Sequence, residues 1–213
     1  MLACDVHDGG ARDEFEALAR SVQEDFCVLC AGDDYSGRAA LIDVRLPSGW
    51  RPERLRDASF LSIHAPVPGF PADARVARSM VRTMVERGPF VRFVWTLTPD
   101  ARLDRHPDAI GPTNWQRAEG LFLRVERQIT VPLTAANASL FLIRVYVYPF
   151  HQLIAEQRTR TLAALAAMPE PIRAYKGLPH PSELATLLDL GQRAHNGILE
   201  NIDAVRSAED NGA

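Results

Sequence analysis

The sequence predicts an α+β protein built on a five-stranded antiparallel sheet with helices on one face, followed by C-terminal helices. Three observations predict this class. Five segments alternate apolar with polar residues or are rich in β-branched and aromatic residues, which favours strands. Segments with helical spacing lie between the second and third strands and after the fifth. Hydrophobic residues make up 46% of the 213 residues and charged residues 24%, which is typical of a globular chain.

The first half of the chain is predicted to hold a hairpin between helices. A short helix at 14–22 precedes strands at 25–31 and about 38–46, which a Gly/Asp/Ser turn joins into a hairpin. Helical segments follow at 52–62 and 72–87. A Pro-x-Pro-Gly sequence separates these two helical segments and excludes a regular helix between them.

The second half is predicted to hold three strands and then two helices. Their predicted ranges are 90–98, 121–129 and 139–148 for the strands, and 151–167 and 181–206 for the helices. A long polar loop separates the first two of these strands. The resulting order, strand–strand–helices–strand–strand–strand, is that of PAS domains.

The organisation expected from these elements is one domain with two appendages. We expect a flexible tail over 1–13, a PAS-like domain over 14–180, and an amphipathic helix with its tail over 181–213. The C-terminal helix offers a surface through which two copies could form a homodimer. The beginning of the sequence lacks the apolar region of a signal peptide, and no apolar run approaches about 20 residues, so we expect a cytoplasmic protein with no membrane contact. The net charge of −3 predicts no nucleic-acid partner.

The cysteines allow one metal-site hypothesis. Cys4 and His7, followed by Cys27 and Cys30, have the residue types and short spacings of a zinc site. The alternative is that Cys27 and Cys30 lie on one strand, where residues three apart point to opposite faces. We favour this alternative, in which both cysteines act as small buried side chains.

His64 is the first candidate for chemistry. It lies in an apolar segment directly before the rigid Pro-x-Pro-Gly corner, which would give its ring a defined direction. From this local pattern alone the more common interpretation is a hydrogen-bonded core histidine, and a ligand role is the alternative.

Charged and hydroxylated residues in two long apolar strands form the second candidate. Arg124 and Glu126 lie two residues apart in one strand, as do Arg144 and Tyr146 in the next, so each pair projects from one face of its strand. One interpretation is a structural ion-pair network or a solvated face, because unpaired buried charges are costly. The other is a polarised pocket that binds a small polar or cationic ligand and tunes proton transfer.

Five sequence blocks follow one another along the chain: VQEDFC at 22–27, IHAPVPGF at 63–70, LFLRVERQ at 121–128, IRVYVYP at 143–149 and AYKG at 174–177. In this order they resemble the signature blocks of the family of haem-dependent oxidative N-demethylase α-subunit-like proteins. The resemblance covers residues 14–180, and no nucleotide-binding glycine motif or catalytic-triad motif competes with it.

The resemblance implies a PAS-like fold that holds haem b against its sheet and uses the iron to activate O₂. The implied activity is that of a monooxygenase-type oxidoreductase, an N-demethylase acting on a small, secondary amine. Its electrons would come from NADPH through a separate flavin and iron–sulfur protein. Two alternatives stay open, namely a haem PAS sensor of gas or redox state and a relative that lacks haem and serves as a non-catalytic subunit.

The resemblance also implies roles for individual residues. His64 is expected to be the axial ligand of the haem iron. Glu126, Arg144 and Tyr146 are expected to form the catalytic pocket, with Glu126 holding a protonated amine and Arg144 polarising bound oxygen. The other expected cofactor contacts are Pro66, Val67, Gly69, Trp95 and Arg124.

Overall fold

In this computed structural model the chain is described over residues 9–180, 182–184 and 186–188. The first half forms helices and a strand pair: α1 (Gly9–Ser21), β1 (Asp25–Cys30), β2 (Arg38–Asp43), α2 (Phe60–His64) and α3 (Ala74–Glu86). The second half forms β3 (Phe90–Thr98), α4 (Pro107–Ile110), β4 (Phe122–Leu133), β5 (Ala138–Pro149), α5 (Ala155–Ala166) and α6 (Glu170–Tyr175). Single 3-10 turns lie at Pro52–Arg54, Trp115–Arg117, Thr134–Ala136 and Phe150–Gln152.

The predicted α+β class and the order of its strands are confirmed. β3 has the predicted bounds, because its run of apolar and aromatic residues is bounded by Pro89 and Pro99. The first helix begins at Gly9, within the segment expected to be a tail. The predicted polar loop contains α4. Most of the predicted helix at 181–206 lies outside the described residues, although 182–184 and 186–188 are helical.

The sheet has the order β2-β1-β5-β4-β3. β4, which carries Glu126, and β5, which carries Arg144, are therefore neighbours. β1 pairs antiparallel with β2 on one side and with β5 on the other. Phe26 lies opposite Leu142 in the second pairing, whose register is regular from end to end. β3 is an edge strand, and its neighbour is β4.

The main apolar core lies between β1 and the helices α2 and α3. Leu29 of β1 packs with Phe60 of α2 and with Val81 of α3, which is fully buried. Helix α3 turns its buried side chains inward at spacings of four, since Ala77, Val81 and Val85 share one face. This core fixes α2, and therefore the position of His64 at its end, relative to the sheet.

Helix α1 departs from the prediction that all helices cover one face of the sheet. Phe15 of α1 contacts Phe26 edge-on, with ring centroids 4.9 Å apart. Phe26 and Leu29 are three residues apart in β1, and successive strand residues point to opposite faces. α1 therefore lies against the face opposite to that covered by α2 and α3.

The chain divides into two compact units, formed by residues 1–95, 102–112 and 125–146 and by residues 96–101, 113–124 and 147–213. In the second unit, the buried guanidinium of Arg173 donates to the carbonyls of Leu165 and Pro179, at 2.8 and 2.9 Å. The indole of Trp115 donates to the carbonyl of Gly177 at 2.8 Å. No helix in the described part of the chain is both long and apolar enough to cross a membrane.

Candidate functional site

His64 is the last residue of the short helix α2. Ser59 caps the start of this helix, because its hydroxyl accepts a hydrogen bond from the backbone N–H of Ser62 at 3.1 Å. It ends where Pro66 and Pro68 follow, because proline has no N–H to continue the hydrogen-bond pattern. Tight turns then replace the helix, and Gly69 takes a φ of +77°. The predicted rigid corner after His64 is therefore present.

The ring of His64 is held in one orientation by its neighbours. Its Nδ1 lies 2.8 Å from the carbonyl oxygen of Phe60, and the ring packs against Phe60 and stacks on Phe70, with centroids 4.3 and 4.7 Å away. A carbonyl oxygen can only accept, so Nδ1 carries the proton and donates it. In the neutral ring Nε2 then holds the lone pair, and among the described residues it has no hydrogen-bond partner.

The charge state of His64 also suits a ligand role. Burial lowers the pKa of His64, and the nearby positive charge of Arg92 lowers it further, although the bond to the Phe60 carbonyl acts in the opposite direction. The neutral form is therefore favoured near neutral pH. A metal can bind only that form.

A chain of three hydrogen bonds joins polar side chains on the sheet. Arg92 of β3 donates from Nε to Oε1 of Gln128 at 2.6 Å. Gln128 donates from Nε2 to Oε2 of Glu126 at 2.8 Å, and the hydroxyl of Ser48 donates to Oε1 of the same carboxylate. Gln128 is only 7% exposed. Both ends of its amide are thus oriented, and both carboxylate oxygens of Glu126 are held.

Arg92 lies on the sheet face that α2 covers, because Phe141 beside it is opposite Cys27, which shares a face with Leu29 of the core against Phe60. Desolvation lowers the pKa of Arg92, although the residue as a whole is solvent-exposed. The negative charge of Glu126 partly offsets that effect on the pKa. The guanidinium carbon lies 6.0 Å from the ring centre of Phe141. An oriented imidazole, a guanidinium and a held carboxylate therefore make up the candidate site.

Arg144 and Tyr146 belong to a different cluster. Arg144 and Arg127 both donate to Oε1 of Glu24 at 3.4 Å, and the Arg144 guanidinium lies 5.7 Å from the Tyr146 ring. Arg127 follows Glu126 directly in β4, so the two point to opposite faces. The structure thus places Arg144 and Tyr146 apart from Glu126, and the catalytic roles expected for them stay predictions. The ion-pair interpretation describes Arg144 better.

Two further predicted residues lie apart from this site or outside its unit. Trp95 is three residues beyond Arg92 in β3, so strand alternation turns it toward the opposite face. Arg124 is 1% exposed and belongs to the second unit, and its cofactor role stays a prediction. In the corner after His64, Val67 is partly buried, while Pro66 and Gly69 are exposed.

Sequence analysis missed both Arg92 and Gln128 as site residues. A signal for Arg92 exists, because a lone arginine interrupts an otherwise apolar and aromatic strand, FVRFVW. For Gln128 the signal is its spacing of two from Glu126, which places both on one face. Neither signal indicates that the two side chains meet.

The cysteines do not offer a competing ligand set in the described residues. Burial raises the pKa of the Cys27 thiol to about 12, which suits a small buried side chain. Cys30, three residues away in β1, is disulfide-bonded and packs with Ala40 and Ala138. The expectation of a simple buried side chain is therefore wrong for Cys30. Cys4 and His7 lie outside the described residues. Within the described ranges, no group of three or more His, Cys, Asp or Glu side chains is placed so that it could hold a metal ion.

An open cavity of about 330 Å³ lies in the second unit. Its polar lining includes Arg158, which donates to the backbone carbonyls of His151 and Leu153 and so has a structural function. None of the site residues predicted from sequence lines it. The side-chain geometry around His64 is the better indicator of chemistry, because it joins a ligand atom to fixed charges.

The model of one protein family matches residues 3–185, and that family is described as haem-dependent oxidative N-demethylase, alpha subunit-like. The chain belongs to this family. The resemblance drawn from the five sequence blocks is thus confirmed. The match includes every residue of the His64 site. The description of the haem-dependent oxidative N-demethylase α-subunit-like family names a cofactor and implies a partner subunit.

The residues of the site fit a haem. Four nitrogens of the porphyrin already bind the iron, so the protein needs to supply a single axial ligand rather than a cluster. The Nε2 lone pair of His64 is available, and its Nδ1–H is bonded to a carbonyl, as is usual for histidines that bind metals. A backbone carbonyl at Nδ1 also strengthens the ring as a ligand.

Proposed function

We propose that this protein binds haem b through Nε2 of His64 and oxidatively removes a methyl group from a small, secondary amine. Membership of the haem-dependent oxidative N-demethylase α-subunit-like family supports the reaction class. The single structural observation that supports the ligand is the bond from Nδ1 of His64 to the Phe60 carbonyl, since it directs the lone pair to the other nitrogen. A PAS-like arrangement, with haem against the sheet, is part of the proposal.

Haem, when bound, would supply the iron that activates O₂. The overall reaction consumes O₂, two electrons and two protons, and it yields the demethylated amine, formaldehyde and water. The chain itself provides no nucleotide-binding glycine motif. We therefore propose that the electrons originate from NADPH and arrive through a separate flavin and iron–sulfur subunit.

Glu126 is the residue we propose to bind the protonated amine. Its oxygens accept hydrogen bonds from Ser48 and Gln128, so the carboxylate is a fixed negative charge that would attract an ammonium group. The two bonds hold the carboxylate in one orientation, which lowers the entropy cost of positioning the substrate. Arg144 is not part of this proposal, because it pairs with Glu24 on the opposite face.

The visible spectrum tests the ligand. Purified protein reconstituted with haem should show a Soret band, and His64→Ala should abolish or shift it. The exposed His180, which bonds Ser182 in the second unit, gives a matched control, and His180→Ala should leave the band unchanged. A wild-type protein without a Soret band after reconstitution would refute haem binding. An unchanged band in His64→Ala would move the ligand to another residue.

The reaction has a separate test. Haem-loaded protein supplied with reductant, O₂ and dimethylamine should release formaldehyde. Glu126→Gln should raise the KM for the amine more than it lowers kcat, because it removes the charge that attracts an ammonium group while keeping a similar shape. A haem protein that releases no formaldehyde from any small methylamine would contradict the enzymatic proposal and favour a sensor.

A further inference from the structure

Arg92 interrupts an otherwise apolar and aromatic edge strand, and partial burial lowers the pKa of its guanidinium. In the described part of the chain Arg92 forms no ion pair. The carboxylate that acts on it most directly is Glu126, whose oxygens are bonded to Ser48 and Gln128 instead.

Within the described residues, the guanidinium of Arg92 donates a hydrogen bond from Nε only. A guanidinium carries five N–H donors, and the single Nε–H is bonded to Oε1 of Gln128 at 2.6 Å. Among the described residues, no hydrogen-bond acceptor is found for the two terminal nitrogens. These two nitrogens form a planar fork that matches the two oxygens of a carboxylate.

Gln128 gives the fork a defined direction. Its own amide cannot flip without loss, because Nε2 donates to Glu126 while Oε1 accepts from Arg92. At 7% exposure it is also packed on all sides. The guanidinium carbon lies over the ring of Phe141, 6.0 Å from its centre, and this contact also helps to fix the position of the guanidinium. A ligand at this place needs a carboxylate to match the fork.

We propose that the terminal nitrogens of Arg92 bind a carboxylate of the ligand that His64 holds, and that this carboxylate is a haem propionate. The inference rests on the proposed function, because it requires haem at His64. It assigns Arg92 to cofactor binding and Gln128 to positioning Arg92. Phe141, which lies under the Arg92 guanidinium, is opposite Cys27 and so shares a sheet face with Leu29, which packs against Phe60 of α2. Arg92 and the helix that carries His64 are therefore on one face of the sheet.

The test compares haem with haem dimethyl ester, in which both propionates are esterified and neither is charged. Protein freed of haem is titrated with each compound in the same mixed solvent, and the Soret band reports binding. The variants are Arg92→Gln, Arg92→Lys and, as a control for net charge, Arg75→Gln, which changes a side chain that is 86% exposed. Circular dichroism checks that each variant is folded.

Wild-type protein should bind haem about 10- to 100-fold more tightly than the ester, the range expected for a charge-assisted bidentate pair. Arg92→Gln should lower the affinity for haem by a similar factor and leave the affinity for the ester unchanged. Arg92→Lys should retain part of the preference, since it keeps the charge without the fork. Arg75→Gln should behave as wild type.

The outcomes separate the two proposals. A Soret band of equal affinity for haem and ester in the wild type overturns the assignment of Arg92 alone, and so does an undiminished preference in Arg92→Gln. Absence of any Soret band from the wild type overturns haem binding and this assignment with it. The comparison of haem with its ester needs no variant, so it remains decisive if the substitutions unfold the protein.

Discussion

Gln128→Glu is the sharpest test of the hydrogen-bond chain that organises the site. In the wild type the amide nitrogen of Gln128 faces Oε2 of Glu126 at 2.8 Å. The substitution replaces that donor with an oxygen of the same size and leaves the acceptor that faces Arg92 in place. Two carboxylate oxygens would then lie in contact, where the structure requires a donor and an acceptor.

The distance determines the size of the effect. Two unit charges at this separation repel by about 6 kcal/mol at an effective dielectric constant of about 20. Glu126 is half-buried and Arg92 is exposed, so solvent and the arginine screen part of this repulsion. We expect a residual destabilisation of about 2–4 kcal/mol when both carboxylates are ionised. Uptake of one proton by the pair removes the repulsion and restores an O–H···O bond.

The stability of Gln128→Glu should therefore depend on pH more steeply than that of the wild type. The introduced carboxyl has a higher pKa in the folded state than in the unfolded state. Its protonated form therefore contributes to the free energy of unfolding at low pH, and that contribution is lost as the pH rises. Urea unfolding followed by circular dichroism, at about pH 5 and about pH 8, measures the difference from the wild type. Gln128→Leu is the control and should lose about 1–3 kcal/mol at both pH values, because it removes two hydrogen bonds but adds no charge. An equal loss at both pH values in Gln128→Glu would refute the position assigned to the amide.

The remaining predictions concern the support of the site. Gly37→Ala should lower the free energy of unfolding by about 2–4 kcal/mol, because φ is +71° and a Cβ would lie 2.8 Å from Val81 and 3.0 Å from Phe60. Gly49→Ala should cost only about 1–2 kcal/mol, because φ is +81° but an added Cβ would have no atom within 4 Å. Equal losses of unfolding free energy for the two variants in chemical denaturation would contradict the extra cost assigned to the contacts at Gly37. Burial raises the pKa of Asp25 above 3.8, although hydrogen bonds from two backbone N–H groups act to lower it. Protonation of Asp25 therefore favours the folded state. We expect the free energy of unfolding of the wild type, relative to that of Asp25→Asn, to fall as the pH rises from about 3.8. An advantage in unfolding free energy that grows with pH across the acid range would contradict this sign.

The elements that sequence analysis predicted well are those with a strong local pattern. β3 and β5 are runs of apolar and aromatic residues that local turns or prolines bound, so their ranges agree with the structure or differ by one residue at each end. The corner after His64 was predictable because proline removes a donor regardless of its surroundings. The pairing of Glu126 with Gln128 on one face follows from the period of two within a strand.

The elements that it missed depend on distant parts of the chain. α1 covers the second face of the sheet because Phe15 meets Phe26, and nothing in the spacing of either residue selects a face. Arg144 belongs to a pair of polar residues two apart in β5, just as Glu126 does in β4. Arg144 and Glu126 nevertheless lie on opposite faces of the sheet. Alternation relates residues within one strand, but the relation between strands depends on their register.

The sequence by itself determined the class of fold, the order of the strands, the family and the position of His64 before a rigid corner. These properties are local or are carried by continuous blocks of residues. Only the tertiary structure decided that Arg92, Gln128 and Glu126 form one hydrogen-bonded chain and that Arg144 belongs elsewhere. The physical reason is that hydrogen bonds between strands and the packing of α2 and α3 on β1 bring together residues far apart in the chain, and no spacing within one segment encodes those distances.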